Sequence, residues 1–228
     1  MTGTFITCEG IDGSGKSTQL RLLNNFLKAR GCRILFTREP GGTPLGLRLR
    51  ATLLDAQETV DPLTELLVFA ADRAQHVRRL VLPALESGAV VISDRYADAT
   101  VAYQGAGRGF PPELIQEMVN LATGGLHPDL TLLFDVSVTE SQMRTQRRSN
   151  KITKPDRLDV ESSEFRTRVR NAYLEIAAKE PNRVKVINTR GTVEETHQRV
   201  IELVVPFLEV RGHFQTRPNT SELLSPHC

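Results

Sequence analysis

Eight residues near the N-terminus have the types and spacing needed to hold phosphate. Residues 10–17 read GIDGSGKS, which matches the P-loop pattern G-x-x-x-x-G-K-[ST]. The glycines let backbone N–H groups turn toward phosphate oxygens, and the helix that begins near Lys16 points its positive end there. Lys16 can reach the β- and γ-phosphates, and the Ser17 hydroxyl can ligate the bridging Mg²⁺. The pattern predicts a nucleoside triphosphate site formed by Gly10, Asp12, Gly13, Ser14, Gly15, Lys16, Ser17 and Thr18.

Arginines recur at positions that a parallel sheet would bring to one edge. Arg38 and Arg95 follow predicted strands, Arg108 lies in a loop, and Arg50 lies on the helix after the second strand. Ligands of open α/β sheets bind beyond the carboxyl ends of the strands. Two unit anions about 4 Å apart repel by roughly 4 kcal/mol at an effective dielectric near 20, and guanidinium groups both neutralise and orient phosphate. The arginines therefore predict a second, acceptor phosphate beside the P-loop.

Two carboxylates accompany these cations. Asp94 directly precedes Arg95, so it is a candidate for an outer-sphere magnesium ligand or for a partner that orients Arg95. Asp12 lies inside the P-loop, where phosphates would repel it. A sugar hydroxyl or an arginine is a more plausible partner for Asp12.

A third basic concentration occupies residues 144–157, RTQRRSNKITKPDR, with six basic residues and one acid. A solvated loop and a nucleic-acid contact are both compatible with this composition. We favour a short lid at about residues 147–160 that closes over the phosphates, brings arginines to them and excludes water, so that transfer outcompetes hydrolysis.

The elements that must position these residues alternate along the chain. Continuous apolar runs predict parallel strands at 4–9, 33–38, 89–94, 130–136 and 183–188. Helices are predicted at about 16–30, 45–55, 62–87, 98–106, 112–123, 138–149, 162–179 and 192–208. Asp61 and Pro62 suit a helix start, Gly31 and Gly88 suit helix ends, and Pro83 is expected to end or kink the third helix. This alternation predicts an α/β fold with an open sheet flanked by helices.

Composition narrows the functional classes. The 228 residues favour a single domain over residues 1–209 with a flexible tail at 210–228. The net charge of +2 and the lack of a long apolar run argue against nucleic-acid partners and against a membrane span. The N-terminus lacks the basic leader of a signal peptide, and three scattered cysteines form no C-x-x-C pair, which together favour a cytoplasmic protein.

Several P-loop classes are disfavoured. A GTPase would carry an N-K-x-D motif, but residues 150–153 read NKIT and place Thr153 where the aspartate is required. No long coupling region suggests a motor. A small-molecule kinase and a nucleotide-controlled switch remain as alternatives.

Five segments in series resemble the bacterial type of thymidylate kinase, a family of P-loop nucleoside-monophosphate kinases. They read FITCEGIDGSGKST, TREPGGT, LLVFAADRAQH, ISDRYADATVAYQG and DRLD, and the resemblance covers about residues 4–205. It implies a five-stranded parallel sheet, ATP and Mg²⁺ as the donor complex, dTMP as the acceptor, and a homodimer. The implied reaction is in-line transfer of the γ-phosphoryl group of ATP to dTMP, which gives dTDP for dTTP synthesis. A kinase of another nucleoside monophosphate is the alternative, and a switch is a more remote one.

The resemblance also implies roles for individual residues. Phe69 would stack on thymine, Arg73 would donate to thymine O4, and Thr100 with Gln104 would bond the remaining edge of the base. The four-residue spacing of Phe69 and Arg73, and of Thr100 and Gln104, independently places each pair on one helix face. Further acceptor contacts are implied for Tyr103 at the ribose 2′ position, Asp12 at the sugar, and Arg38, Arg50 and Arg95 at the phosphate, with Glu39 near the magnesium.

Family members without an arginine in the P-loop rely on lid arginines. Gly13 and Ser14 occupy the middle of this P-loop, so the resemblance implies that role for Arg144, Arg147, Arg148 or Arg157. The residues expected to take part in the chemistry are Lys16, Arg95, Asp94, Asp12 and Arg148, with Ser17 and Asp94 at the metal.

Overall fold

The structure is a computed structural model that describes residues 3–56, 58–149 and 161–214. In these ranges five strands alternate with helices. The strands are β1 (Thr4–Glu9), β2 (Ile34–Arg38), β3 (Val90–Asp94), β4 (Leu130–Asp135) and β5 (Val184–Asn188). The helices are α1 (Lys16–Ala29), α2 (Pro44–Leu54), α3 (Pro62–His76), α4 (Leu82–Glu86), α5 (Ala97–Thr100), α6 (Pro112–Thr123), α7 (Val138–Ser149), α8 (Ser163–Lys179) and α9 (Val193–Val210). Each strand lies within one residue of its predicted bounds.

The strands form one parallel sheet in the order β2-β3-β1-β4-β5. The chain passes to one side of β1 for β2 and β3, and to the other side for β4 and β5. Cys8 of β1 pairs with Asp94 of β3, and Arg38 of β2 pairs with the same Asp94, so three strand ends lie side by side. Ligands of such sheets bind where the strand order reverses. The P-loop, which follows β1, lies at that point.

Both faces of the sheet are covered, as the continuous apolar strands predicted. Ile6 and Cys8 of β1 pack on one face with residues of α1 and α9, such as Leu20 and Val204. Phe5 points to the opposite face, where it packs with α4 and the segment before it. The edge strands differ, because β2 and β5 are only partly buried. All six residues of the central strand β1 are buried, and this strand leads into the P-loop.

Local signals explain several helix ends. The Asp61 carboxylate accepts the backbone N–H of Leu63 at 2.8 Å and caps α3, with Pro62 at its first position. Gly31 and Gly88 have φ angles of 74° and 81°, as predicted for residues that follow helices.

Two π-helical turns depart from the predicted helices. The segment predicted as one helix over 62–87 consists of α3, a π-helical turn at Val77–Val81, and α4. The Leu82 N–H bonds to the Val77 carbonyl, so the helix widens just before Pro83 and continues to Glu86. The irregularity thus precedes the proline, which has no N–H to give the helix. A second π-helical turn, Val101–Gly107, continues α5.

The C-terminal helix ends two residues beyond its predicted limit, at Val210. The predicted tail begins there, but residues up to 214 still contact the domain. The His213 ring lies 2.6 Å from the Thr4 hydroxyl at the start of β1. Among the helices that the structure describes, none combines the length and apolar character of a membrane span.

Candidate active site

One cleft of about 670 Å³ opens at the carboxyl ends of β1, β2 and β3. Its floor is the P-loop, and its walls come from the β2–α2 loop, α3, α5 with the following π-helical turn, and α7. Most of the residues predicted from the sequence to bind ligands line it, namely Asp12 to Thr18, Arg38, Glu39, Arg50, Phe69, Arg73, Asp94, Arg95, Thr100, Tyr103, Gln104 and Arg144. The fold therefore brings the donor and acceptor candidates into a single space.

At two positions of the P-loop the close packing leaves no room for a side chain. Gly10 has a φ angle of 136°, and a Cβ there would collide with the Phe134 carbonyl oxygen. Gly13 has a φ angle of 77°, and a Cβ would lie 2.5 Å from the Ser141 carbonyl oxygen. The loop is thus packed against β4 and α7, with its backbone turned toward the cleft.

Lys16 is folded back over the loop. Its ammonium donates to the carbonyl of Gly10 at 2.7 Å and to that of Ile11 at 3.3 Å. Burial and the positive charge of Arg95 lower the pKa of Lys16 to about 8, against the opposing effect of the nearby carboxylates. The cation is thus held at the loop by weak neutral acceptors, which phosphate oxygens can replace.

Arg95 is the centre of a polar cluster between the P-loop and the acceptor wall. Its φ angle is 72°, which is strained for a residue with a Cβ. The guanidinium donates to Asp12 Oδ1 at 2.7 Å and to the Tyr103 hydroxyl at 3.0 Å. The Tyr103 hydroxyl in turn donates to Asp12 Oδ2 at 3.2 Å. The strained backbone and these bonds aim Arg95 into the space between the two halves of the cleft.

Asp12 stays ionised in this cluster. Burial opposes its charge, but Arg95, Lys16 and Arg166 outweigh burial and lower the pKa of Asp12 to about 2. Of the two partners that the sequence allowed, an arginine is the one that the structure places against Asp12.

Arg73 has three buried partners. Its Nε donates to Glu39 at 2.8 Å, and its terminal nitrogens donate to the Thr100 hydroxyl at 2.7 Å and the Tyr96 carbonyl at 2.9 Å. Three of its five N–H groups are used within the described residues, which leaves one on each terminal nitrogen for a ligand. Phe69, one turn earlier on α3, lines the same wall.

Glu39 holds Arg73 and His76 in place. One carboxylate oxygen accepts from Arg73, and the other lies 2.7 Å from Nδ1 of His76. The opposite ring nitrogen of His76 lies 2.7 Å from the Thr37 hydroxyl. Both oxygens of Glu39 thus have a partner, Glu39 lines the cleft, and its position near magnesium stays a prediction.

Asp94 and Ser17 fit a magnesium site. The Oδ1 atom of Asp94 is buried and has no hydrogen-bond partner in the part of the chain that the structure describes. Ser17 is exposed at the start of α1, and both residues line the cleft. No cluster of three metal-binding side chains occurs among the described residues. This donor set suits Mg²⁺, which takes one or two protein oxygens together with phosphates and water.

Of the remaining predicted arginines, some line the cleft and others do not. Arg38 is exposed at the end of β2 and has no ion pair with any described residue, whereas Arg50 donates to the Pro40 carbonyl at 3.3 Å. Arg144 pairs with Glu140 and donates to the Thr189 carbonyl at 3.1 Å, beside the P-loop. Arg147 is exposed on α7 and does not line the cleft. The side chain of Arg148, Arg157 and most of the predicted lid lie outside the described residues.

The placement of Arg108 near a ligand was wrong. Its guanidinium lies outside the cleft and contacts two acids, Glu65 at 3.0 Å and Glu161 at 2.6 Å. Because two carboxylates already neutralise it, it offers little charge to a phosphate.

Sequence reasoning missed several buried polar residues that support the site. Glu9 accepts the Tyr96 N–H and the Tyr173 hydroxyl, each at 2.7 Å, and burial together with Asp98 raises the pKa of Glu9. Asp72 accepts the Gly41 N–H at 3.1 Å, and burial together with Glu39 raises the pKa of Asp72 to about 6. An acid inside an apolar strand or on an apolar helix is a signal that could have identified both, since unpaired charges are rarely buried.

The fold and the cleft define a P-loop phosphotransferase of the nucleoside-monophosphate kinase type. The family profile described as "Thymidylate kinase" matches residues 8–200. A thymidylate kinase of Nitrosospira multiformis is 46% identical over 200 residues, which is 88% of this chain and 96% of the relative. One of Citrifermentans bemidjiense is 48% identical over 203 residues, 88% and 90% of the two chains. The crystal structure of thymidylate kinase from Ehrlichia chaffeensis has a TM-score of 0.73 and 35% identity, and covers 89% of this chain and 98% of its own. The chain belongs to the thymidylate kinase family.

Proposed function

We propose that this protein catalyses ATP + dTMP → ADP + dTDP by in-line transfer within the cleft. One observation carries the proposal beyond family membership. Lys16 of the P-loop, Arg95 and the Phe69–Arg73 face of α3 line one continuous space, so a triphosphate and a monophosphate nucleotide can meet end to end. Phosphoryl transfer asks a protein mainly for positioning and for neutralisation of charge.

The donor half holds ATP. The P-loop amides and Lys16 contact its phosphates, and Lys16 exchanges its carbonyl partners for phosphate oxygens. Ser17 and Asp94 are the residues that would hold Mg²⁺. When bound, the ion supplies positive charge to the phosphates.

The acceptor half holds dTMP. Arg38, Arg50 and Arg95 contact its phosphate, and Asp12 fixes Arg95 at 2.7 Å. Phe69 stacks on the base, while Arg73, Thr100 and Gln104 bond its polar edge. Tyr103 is held by Arg95 and Asp12 and crowds the ribose 2′ position. A general base is not required, because the acceptor phosphate is already anionic.

Arginines of the predicted lid complete the charge balance. Arg144 lines the cleft beside Gly15 and is the lid arginine for which the described contacts give a position. Arg147, Arg148 and Arg157 are assigned to the same role by the family resemblance alone. Closure of the lid over the phosphates excludes water and favours transfer over hydrolysis.

We also propose a cytoplasmic homodimer that folds as one domain over residues 1–209. Leu63 and Leu67 of α3 are about half exposed, although α3 packs between α2 and α6. Leu47 of α2 and Leu121 of α6 are exposed on the same group of helices. A second copy would cover these leucines. The buried thiols of Cys8 and Cys32 suit a reducing compartment.

The test is an acceptor panel in a coupled ADP-release assay. The protein with ATP and Mg²⁺ is offered dTMP, dUMP, TMP, dCMP and dGMP in turn. We expect fast ADP release that depends on dTMP and is weaker with the other monophosphates. Slow ATP hydrolysis that is indifferent to every monophosphate would instead identify a nucleotide switch.

A further inference from the structure

A buried glutamate lies directly behind the proposed base pocket. Glu65 of α3 is fully buried, and it does not itself line the cleft. The Gln104 side chain, which does line the cleft, donates its Nε2 to Glu65 Oε1 at 2.8 Å. We propose that Glu65 is a specificity-determining positioning residue: by fixing the orientation of the Gln104 amide, it makes the acceptor pocket select a base with an N–H at ring position 3. This inference rests on the proposed function and deepens it.

The contacts determine which end of the amide faces the ligand. With Nε2 turned to Glu65, the Oε1 atom of Gln104 lies on the opposite side of the amide, and no described residue donates to it. Gln104 is 2% exposed, so bulk water has little access to its amide. The pocket therefore presents a hydrogen-bond acceptor at this position.

The reverse orientation is disfavoured by the state of Glu65. Arg108 donates its Nε to Glu65 Oε1 at 3.1 Å and a terminal nitrogen to Oε2 at 3.0 Å. This bidentate pair holds Glu65 as a carboxylate, which can only accept hydrogen bonds. A flipped Gln104 would set its carbonyl oxygen against that carboxylate inside a buried site, which is strongly unfavourable.

Arg108 is itself held from two sides, so the pair is rigid. Glu161 accepts from it at 2.6 Å, and its guanidinium lies 4.6 Å from the ring centroid of Phe165. Burial alone would lower the pKa of Arg108, but its bonds to Glu65 and Glu161 raise it. The residue that sequence analysis assigned to phosphate binding thus acts as the anchor of Glu65.

The pocket wall then offers a donor beside an acceptor. Arg73 keeps N–H groups available, and Gln104 presents an oxygen. Thymine and uracil match this pair with their O4 acceptor and N3–H donor. Cytosine mismatches it at both positions, because it carries an amino group at position 4 and an acceptor at N3. This donor and acceptor pair therefore selects against cytosine and does not distinguish thymine from uracil.

The experiment compares three acceptors in wild-type protein and in Glu65→Gln. The variant nearly preserves volume, but its side-chain amide can donate as well as accept, so Gln104 is free to flip. We expect the ratio of kcat/KM for dTMP to kcat/KM for dCMP to fall roughly 10- to 100-fold. The ratio for dTMP to dUMP, and the KM for ATP, should not change. A merely structural role would not separate these ratios.

Two further variants test the route of the effect. In a Gln104→Ala background, Glu65→Gln should no longer change the dTMP/dCMP ratio, because its effect passes through Gln104. Glu161→Gln is the matched control, since it removes the other carboxylate on Arg108 and leaves the Glu65–Gln104 bond in place. Its selectivity should equal that of the wild type.

The outcomes are decisive in both directions. A dTMP/dCMP ratio that stays constant in folded Glu65→Gln, or that falls together with the dTMP/dUMP ratio, overturns the inference. If circular dichroism shows Glu65→Gln to be unfolded, Glu65→Asp is used instead, because it keeps the charge and withdraws the carboxylate from Gln104. An unchanged dTMP/dCMP ratio in Glu65→Asp also overturns the inference. Absence of dTMP-dependent ADP release in the wild type would refute the proposed function itself.

Discussion

Lys16 is expected to lose its proton within an accessible pH range, and the affinity for ATP should fall with it. Burial and Arg95 lower the pKa of Lys16 to about 8, while an ordinary lysine titrates near 10.4. Only the protonated ammonium attracts the phosphates of ATP. Because bound phosphates stabilise the charge, the pKa of Lys16 rises in the complex. The affinity for ATP is therefore highest well below pH 8, where Lys16 is protonated, and it declines above pH 8.

The size of the effect follows from the fraction of protonated Lys16. With a pKa near 8, that fraction is about 0.9 at pH 7 and about 0.09 at pH 9. If the complex stays protonated over this range, the Kd for ATP rises about tenfold. With an ordinary lysine the change would be about 5% or less. The two cases are therefore easy to separate.

The assay is calorimetric titration of ATP·Mg between pH 7 and pH 9, which does not require turnover. Lys16→Arg is the control, because arginine stays charged throughout and the ionisation of the ligand is common to both proteins. Between pH 7 and pH 9 the Kd of the wild type for ATP should rise about tenfold relative to that of the control. A ratio that stays constant up to pH 9 would refute the electrostatic account of Lys16.

A second variant shows whether Lys16 or Glu9 is the group whose titration changes the affinity for ATP. Glu9 is buried near Lys16, and its negative charge raises the pKa of Lys16. In Glu9→Gln the loss of affinity should begin at a lower pH if Lys16 is the titrating group. Disappearance of the pH dependence would assign it to Glu9 instead.

The remaining predictions concern the acceptor side and the assembly. Gln104→Ala should raise the KM for dTMP at least about tenfold and leave the KM for ATP unchanged, and equal damage to both would contradict its role at the base. Arg95→Gln should lower kcat by about 10²- to 10³-fold in steady-state assays, and a loss confined to KM would argue against its role in transfer. Arg73→Met leaves a buried carboxylate without its arginine and should lower the free energy of unfolding in urea by about 3–5 kcal/mol, so a loss below about 1 kcal/mol would contradict the contacts described. The double variant Leu63→Glu with Leu67→Glu should give monomers by light scattering, and an unchanged dimer would locate the interface elsewhere.

The sequence predicted the strands well because they are buried on both faces. Each reads as a short apolar run with turn residues at its ends, and the parallel arrangement follows from the helices between them. The P-loop could be predicted for a similar reason, since glycine is required where the backbone has positive φ, as at Gly10 and Gly13. These features depend on local chemistry alone.

The supporting polar contacts could not be predicted, because their partners are far apart in the chain. Glu65 and Arg108 are 43 residues apart, and Glu9 and Tyr173 are 164 apart. Neither pairing leaves a periodic trace in the sequence. Arg108 is an example. From the sequence alone its position after a helix suited phosphate binding, but in the fold it forms ion pairs with Glu65 and Glu161.

Several cationic side chains lie close together in the ligand-free cleft. Nearby carboxylates offset part of their mutual repulsion. Burial and the repulsion from Arg95 together lower the pKa of Lys16, while Asp94, Asp12 and Glu9 act in the opposite direction. Arg95 is fixed by Asp12 and Arg73 by Glu39, so these guanidinium groups are already oriented when nucleotides bind. Such preorganisation leaves little reorientation for the moment of transfer. The phosphates of the substrates then remove the repulsion between Lys16 and Arg95, so the same charges that destabilise the ligand-free cleft stabilise the complex with two nucleotides.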